Sequence, residues 1–380
     1  MKSSPTRIVI LTASYGEGHV QTSRALRQSF GKAGIEQVKI IDLMKEAHPL
    51  LNKISTKLYM KSTAASQFGF DYYGWSYYIT RHAKPNNVWN RFYNRLGIKR
   101  LKQLIQQEQP DAVISTFPFG AAPLLCKSLN IPSFTVITDF SLHSRWLHPD
   151  IDKYYVATEE LKTEMVTCGI AAQRIQVSGI PLREQFGRHA LEDAPNKLSE
   201  SFHKLDPDRK TVLLMAGAYG LKVINKMIRS LLSMQECQLV VVCGKNEKLE
   251  RRLKTKYANE PFLRIFGFVD NIHELMLISS CMITKAGGIT LSEALVLQVP
   301  CFIFKPFAGQ EKENALYLAK KRIAAISNST DELAVQLRHF FSKEKFASQI
   351  KQRIELIQKE SAADFIVKDL IHTIRQLAHL

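Results

Sequence analysis

Lys285-Ala286-Gly287-Gly288-Ile289-Thr290-Leu291-Ser292-Glu293-Ala294-Leu295 decides how this chain is read, together with Pro306-Phe307-Ala308-Gly309-Gln310-Glu311-Lys312-Glu313-Asn314 one short apolar run later. Residues 281–284 are apolar, stop at Gly287-Gly288, and give way to the helical spacing Ile289, Leu291, Ala294, Leu295. The pattern is strand, glycine turn, helix. Two adjacent glycines let the backbone approach a ligand without a Cβ in the way, and the free N–H groups at the positive end of the helix suit a phosphate. A diphosphate is therefore expected at Gly287 and Gly288, with Thr290 in the same first turn. Glu293, about one turn in, can accept from both hydroxyls of a ribose; the alternative is a solvated helix glutamate. Gln310, Glu311 and Asn314 open the next helix and offer the bidentate groups that hexose hydroxyls need. A glycine turn alone is weak evidence, because most are structural. Two such motifs at this spacing are stronger.

Length and composition set the frame. At 380 residues with 45% hydrophobic, the chain has enough apolar material for two cores. No apolar run approaches the ~20 residues of a spanning helix, and Met1-Lys2-Ser3 leads into the strand-like residues 8–11 without a signal-peptide apolar region. A cytoplasmic protein is expected. Cys126, Cys168, Cys237, Cys243, Cys281 and Cys301 show no C-x-x-C spacing and several lie in apolar runs, so buried reduced thiols are expected and no metal. The formal charge of +17 implies an anionic partner without choosing among nucleic acid, anionic lipid and phosphate ligands.

At the other end of the chain, residues 8–12 read as a buried parallel strand that breaks at Gly16-Glu17-Gly18-His19 before a helix carrying Ala25, Leu26 and Phe30. Gln21 stands where G-x-G-x-x-G needs its third glycine, and Asp42 is too isolated to rescue a dinucleotide fingerprint. The loop instead presents His19 at a helix N-terminus above a strand end. That placement disfavours imidazolium and suits a general base; a cap-region or donor-binding role is the alternative.

Between residues 45 and 102 the alternation of strands and helices is lost. Aromatics including Trp75, Tyr77 and Tyr78 lie among Lys and Arg residues including Arg91, Arg95, Lys99 and Arg100, with Glu46 and Asp71 the only acids. Alternation resumes with strands at 112–115, 134–137, 153–156 and 175–177 and helices at 121–129 and 159–168, the signature of a parallel sheet covered by helices. Thr138-Asp139-Phe140 closes one strand with a carboxylate, followed by His143, Trp146 and His148. Asp139 can orient a base or hold an acceptor hydroxyl, or merely cap a turn. Residues 183–210 are poor in strand formers and read as a linker between domains at 1–182 and 211–360. In the second, Gly217 lies in a glycine turn after the strand at 211–215, a further contributor to a diphosphate site. The strand at 263–266 runs into Gly267-Phe268-Val269, where Phe268 can cover a base or join the core.

The two donor motifs, the loop Ala13-Ser14-Tyr15-Gly16-Glu17-Gly18-His19, and the run from Thr138-Asp139-Phe140 to His143, Trp146 and His148-Pro149 together resemble the monogalactosyldiacylglycerol-synthase family of glycosyltransferases, most of all its bacterial processive diacylglycerol β-glucosyltransferases. The likeness runs over essentially the whole chain. It implies the α/β GT-B fold, two doubly wound Rossmann-like domains facing a central cleft, with the last helix, 361–380, packing back on the first domain. It implies a UDP-glucose or UDP-galactose donor and a diacylglycerol acceptor, His19 as a functional residue, Gly18 among the donor contacts, and the backbone at Phe268 and Val269 on the uracil edge.

On this reading the reaction is a single displacement that inverts the anomeric carbon and yields a β-linked membrane glycolipid of the lipoteichoic-acid-anchor type. His19 or Asp139 takes the acceptor proton. Glycine-turn N–H groups stabilise departing UDP, and no metal is required; Asp150-Ile151-Asp152 and Asp206-Pro207-Asp208 match D-x-D only by chance. The basic, aromatic segment with Trp75, Tyr77, Arg91, Arg95, Lys99 and Arg100, together with His143 and Trp146 of the later polar-aromatic loop, is expected to face acceptor and an anionic membrane, placing the protein on the inner face of the cell membrane. No nucleic-acid recognition motif is present. Transfer to a lipid-linked peptidoglycan precursor, UDP-sugar epimerisation and a non-catalytic UDP-sugar sensor are the alternatives.

Overall fold

Five consecutive buried residues, Ile-Val-Ile-Leu-Thr, form β1 (Ile8–Thr12), and an apolar run of this kind is what a parallel strand covered on both faces requires. The structure is a computed structural model and describes residues 6–14, 17–49, 72–81, 97–187, 205–206, 208–217, 219–359 and 361–378. The chain divides into two units. One comprises residues 1–184, 308–310 and 359–380, the other residues 185–307 and 311–358.

In the first unit, β1 is followed by α1 (Glu17–Lys32), β2 (Val38–Asp42), α2 (Leu43–Ala47), α3 (Tyr72–Arg81), α4 (Ile98–Glu108), β3 (Ala112–Ser115), α5 (Ala121–Ser128), β4 (Ser133–Val136), β5 (Lys153–Val156), α6 (Glu159–Thr167) and β6 (Ile175–Val177). All strand pairs are parallel, in the order β2-β1-β3-β4-β5-β6. The winding reverses between β1 and β3. In open α/β sheets ligands bind outside the carboxyl ends of the strands at such a reversal. Asp42, at the end of β2, caps α2 by accepting from the Lys45 N–H at 3.0 Å and takes both the N–H and the hydroxyl of Ser14 on its other oxygen. Its carboxylate is thereby committed to the chain itself.

The second unit runs β7 (Lys210–Met215), α7 (Leu221–Leu232), β8 (Cys237–Val242), α8 (Glu247–Lys256), β9 (Leu263–Phe266), α9 (Ile272–Leu277), β10 (Cys281–Thr284), α10 (Gly288–Val296), β11 (Cys301–Phe304), α11 (Gln310–Lys320), β12 (Ala324–Ser327), α12 (Thr330–Ser342) and α13 (Glu344–Ile357). Its sheet is also wholly parallel, in the order β12-β11-β10-β7-β8-β9. Here the reversal falls between β7 and β10, which places residues 216–217 and 285–288 at the carboxyl ends beside it.

The last helix, α14 (Ala362–Ala378), belongs with the first unit. Its Ile366, Val367, Leu370 and Ile374 are buried against Ile8, Leu26, Phe30 and Phe134, and at roughly 1.5–3 kcal/mol for each large apolar side chain this face outweighs any one polar contact. Asp369 adds the Tyr155 hydroxyl and the Lys153 ammonium, both at 2.7 Å. Where the returning chain passes residue 179, a Cβ would lie 2.6 Å from Lys359 Cβ, and φ there is +81°. Glycine is the residue that fits.

Five of the six cysteines are buried and Cys168 is exposed; all are free thiols. Among the described residues no helix is long and apolar enough to cross a membrane.

Candidate functional site

His19 is the third residue of α1, beside the winding reversal of the first unit. Its Nδ1 lies 2.8 Å from the Thr116 carbonyl oxygen, one residue past β3, and 3.1 Å from the Thr138 hydroxyl. A carbonyl can only accept, so Nδ1 carries the hydrogen and Nε2 keeps the lone pair. The surrounding hydroxyls fix this turn: Ser23 donates to the His19 carbonyl at 2.9 Å and lies 3.0 Å from the Thr116 hydroxyl. Phe117 meets the ring edge-on at 5.2 Å, and Trp146 lies 6.4 Å away. Burial lowers the His19 pKa to about 4, with the Thr116 hydrogen bond working against the shift. The sequence suggests the helix N-terminus as the cause of a depressed pKa; in the structure it is desolvation. Asp139 follows Thr138 directly and is 3% exposed.

Tyr77 and His143 meet at 4.7 Å between ring centroids. His143 Nδ1 accepts from the Arg145 N–H, so its Nε2–H points to Thr80 Oγ1 at 3.2 Å. This fastens α3 to the turn at residues 143–146. Tyr77, His143 and Trp146 are 7%, 8% and 5% exposed, and Trp146 packs with Ile137, Leu142 and Tyr154. The expectation that these three face a membrane is therefore corrected: they stand in the interior, Tyr77 against the His143 ring and Trp146 in the apolar cluster with Ile137 and Tyr154. Lys99 is exposed, whereas Arg100 is half-buried and paired with Glu46 at 2.8 Å. Arg91, Arg95 and the side chain of Trp75 lie outside the described residues, as does Tyr15-Gly16 of the glycine loop. Gly18 is half-buried in the first turn of α1.

In the second unit, Gly287 caps α10 with no side-chain hydrogen bond, and a Cβ there would meet nothing within 4 Å. Nothing in the packing requires this glycine, so its absent side chain leaves room above the helix end. Gly217 differs, since a Cβ would come within 3.0 Å of the Cys243 carbonyl oxygen, and its smallness serves the packing of β7 against β8. Gly288 is buried and Thr290 half-buried. Glu293 is 8% exposed on a helix buried almost all round, which disposes of the solvated-glutamate alternative. Phe268 is 58% exposed, with the Lys245 ammonium 5.8 Å from its ring centroid, so the core alternative fails too; Val269 is half-buried.

Gln310 and Glu311 open α11. Glu311 Oε1 pairs with Lys285 at 2.9 Å, while its Oε2 is buried with no hydrogen-bond partner. Asn314, expected beside the sugar, donates from Nδ2 to the Ala286 carbonyl at 3.2 Å and is 1% exposed. It ties α11 to the glycine turn. Asp150 and Asp152 are likewise committed, to Lys127 and to the Ser133 N–H. Thr116, Thr138 and Lys285 carry no role in the sequence reading. Thr116 acts through its backbone carbonyl, which leaves no signal in residue type, whereas a lysine flanking a glycine turn is visible.

Residues 19–182 match the family described as monogalactosyldiacylglycerol (MGDG) synthase, and residues 211–368 match the glycosyltransferase family 28 C-terminal domain. A protein of Bacillus thuringiensis named processive diacylglycerol beta-glucosyltransferase is 39% identical over 369 residues, covering 96% of this chain and 93% of its own. The chain belongs to the monogalactosyldiacylglycerol-synthase-like glycosyltransferases. A second member of this glycosyltransferase family, from Bacillus mycoides and named likewise, is 40% identical over the same coverage. The fold is GT-B. Acinetobacter baumannii MurG superposes with a TM-score of 0.63 at 16% identity over 97% of this chain and 99% of that one. S. aureus MnaA with UDP gives 0.66 at 15% identity over 97% of each. At these identities the two structures speak to the glycosyltransferase's fold alone.

Proposed function

We propose that this glycosyltransferase moves glucose from UDP-glucose to the free hydroxyl of diacylglycerol, and then of glycosyl-diacylglycerol, with inversion at the anomeric carbon. The observation that carries the reading is His19, a neutral ring whose Nδ1–H is held by Thr116 and whose Nε2 lone pair is left to accept a proton. An inverting transfer needs such a base to take the acceptor's proton as UDP departs from the opposite face. The choice of diacylglycerol and glucose follows the names of the relatives, which are 39–40% identical over nearly the whole chain.

The roles divide as follows. The turn at Gly287 and Gly288, with Thr290 in the first turn of α10, receives the diphosphate. Glu293 holds the ribose, and Phe268 lies over the uracil with Val269 at its edge. Gln310 and the unpartnered Oε2 of Glu311 take hexose hydroxyls. Asp139 stands beside Thr138 as the second candidate for acceptor contact. Charge on departing UDP is met by N–H groups and the dipole of α10, without a metal. The protein works from the cytoplasmic face of the cell membrane, docked on anionic lipid.

The test is product analysis after incubation with UDP-glucose or UDP-galactose and diacylglycerol in anionic vesicles, with and without EDTA. A β-glucosyl product, extended to a second sugar and unaffected by EDTA, is expected. Galactosyl product alone, or no lipid product from either donor, would overturn the assignment. Loss of activity with EDTA would reopen the D-x-D readings.

A further inference from the structure

A lysine directly before a glycine turn and helix N-terminus is the residue type that elsewhere meets a phosphate as a point charge. In this chain the geometry points to a different employment: we propose that Lys285 is a positioning residue for the donor's sugar, acting through Glu311, and does not serve the diphosphate. This inference rests on the reading of the second unit as a UDP-sugar site.

Three observations carry it. The Lys285 ammonium lies 2.9 Å from Glu311 Oε1, with the glutamate side chain only 12% exposed. A cation beside a carboxylate so enclosed holds it in one rotamer and offsets the cost of enclosing its charge. The second oxygen, Oε2, is buried and has no hydrogen-bond partner within the chain, so it is able to accept from a ligand's donor. The nearby hydroxyl of Tyr219 does not fill the place, because it donates to the Phe304 carbonyl at 2.9 Å. Burial first, and the Glu311 charge second, push that phenol's pKa upward, so it stays a neutral donor to the carbonyl.

The two oxygens of Glu311 thus have separate partners. Oε1 is occupied by Lys285, which leaves Oε2 as the oxygen offered to a ligand donor. A carboxylate oxygen takes a hydroxyl hydrogen and repels phosphate oxygens, so the group it awaits is a neutral sugar hydroxyl. The Phe307 ring, with its centroid 6.0 Å from the Lys285 ammonium, helps hold that cation in place.

The experiment measures equilibrium binding of UDP and of UDP-glucose to the full chain and to Lys285→Met, Lys285→Arg, Glu311→Gln and the double variant Lys285→Met/Glu311→Gln. Lys285→Met should weaken UDP-glucose by about 10-fold, the size of one charge-assisted hydrogen bond, and leave UDP within about twofold, which also reports that the variant is folded. Lys285→Arg should recover most of the loss. In the Glu311→Gln background the lysine change should add nothing. Equal losses for UDP and UDP-glucose would mean that Lys285 serves the diphosphate. Unchanged UDP-glucose binding, or additive losses in the double variant, would also overturn the proposal. If the unmodified protein bound neither compound, the donor-site reading itself would fall.

Discussion

The Nδ1 atom of His19 lies 2.8 Å from the carbonyl oxygen of Thr116, and this contact decides which ring nitrogen can take a proton. With the pKa lowered to about 4 by burial, the ring is neutral across the physiological range. The acid limb of kcat/KM in the free enzyme should therefore fall near pH 4, well below the 6.5 of an ordinary histidine. His19→Ala should lower kcat by ~10²–10⁴ with UDP affinity unchanged. A limb near 6.5, or a loss confined to the donor KM, would pass the role to Asp139.

The same shift fixes a sign for stability. Unfolded, His19 binds its proton near pH 6.5, and folded only near 4, so between those values the unfolded state holds more protons. Stability then rises with pH across that window and is lost as pH falls through it. Urea unfolding of His19→Gln should show a shallower decline from pH 7 to pH 4 than the unmodified protein. Parallel declines would mean that the ring is solvated in the folded state.

Much of this was legible in residue order, and the exceptions have physical reasons. The central strands of both sheets read from apolar, β-branched runs, because a parallel strand covered on two faces has no polar positions to obscure it, whereas edge strands such as β2, with Lys39 exposed, carry a weaker signal. The glycine turns read because glycine interrupting an apolar run just before a helical pattern is a signal in residue order itself. Sequence could not show that Gly217 serves packing while Gly287 leaves space, since both are glycine after a strand and differ only in what faces the missing Cβ. Nor could it show that Trp146 is interior: a lone aromatic in a polar loop looks the same whether its ring turns inward or outward.

Gly179 offers a test of the fold alone. Its φ of +81° is costly for any residue with a Cβ, and that Cβ would lie 2.6 Å from Lys359 Cβ, the stiff root of a side chain. Strain and overpacking together predict that Gly179→Ala loses about 2–4 kcal/mol in chemical unfolding. A loss under ~0.5 kcal/mol would show that the returning segment moves aside freely.

Glu293, 8% exposed and one turn past Gly287-Gly288, should hold the donor's ribose. Glu293→Ala should weaken UDP by about 1.5–3 kcal/mol, the range of a charge-assisted hydrogen bond, in a protein that still folds. Glu293→Gln, which keeps the shape and one acceptor, should lose less. Unchanged UDP binding in calorimetry for both variants would remove Glu293 from the site.

Membrane docking is expected from the segment at residues 45–102, where aromatic side chains lie among bases and only two acids interrupt them. Within its described part, α3 exposes Tyr78 at 39% and Ile79 at 57%, and Lys99 is exposed at the start of α4. Aromatic side chains favour the headgroup level, and each Lys or Arg near an anionic leaflet contributes about 1 kcal/mol, so a handful of such residues suffices for reversible binding. Sedimentation with vesicles should need anionic lipid, weaken as salt rises, and fall when Arg91, Arg95, Lys99 and Arg100 become Ser together. Arg100 is already paired with Glu46 at 2.8 Å, and leaving that partner offsets what the lipid provides. Lys99→Ser alone should therefore reduce binding more than Arg100→Ser alone. Equal binding to neutral vesicles at high salt, or a quadruple variant that binds as before, would place the docking surface elsewhere on the chain.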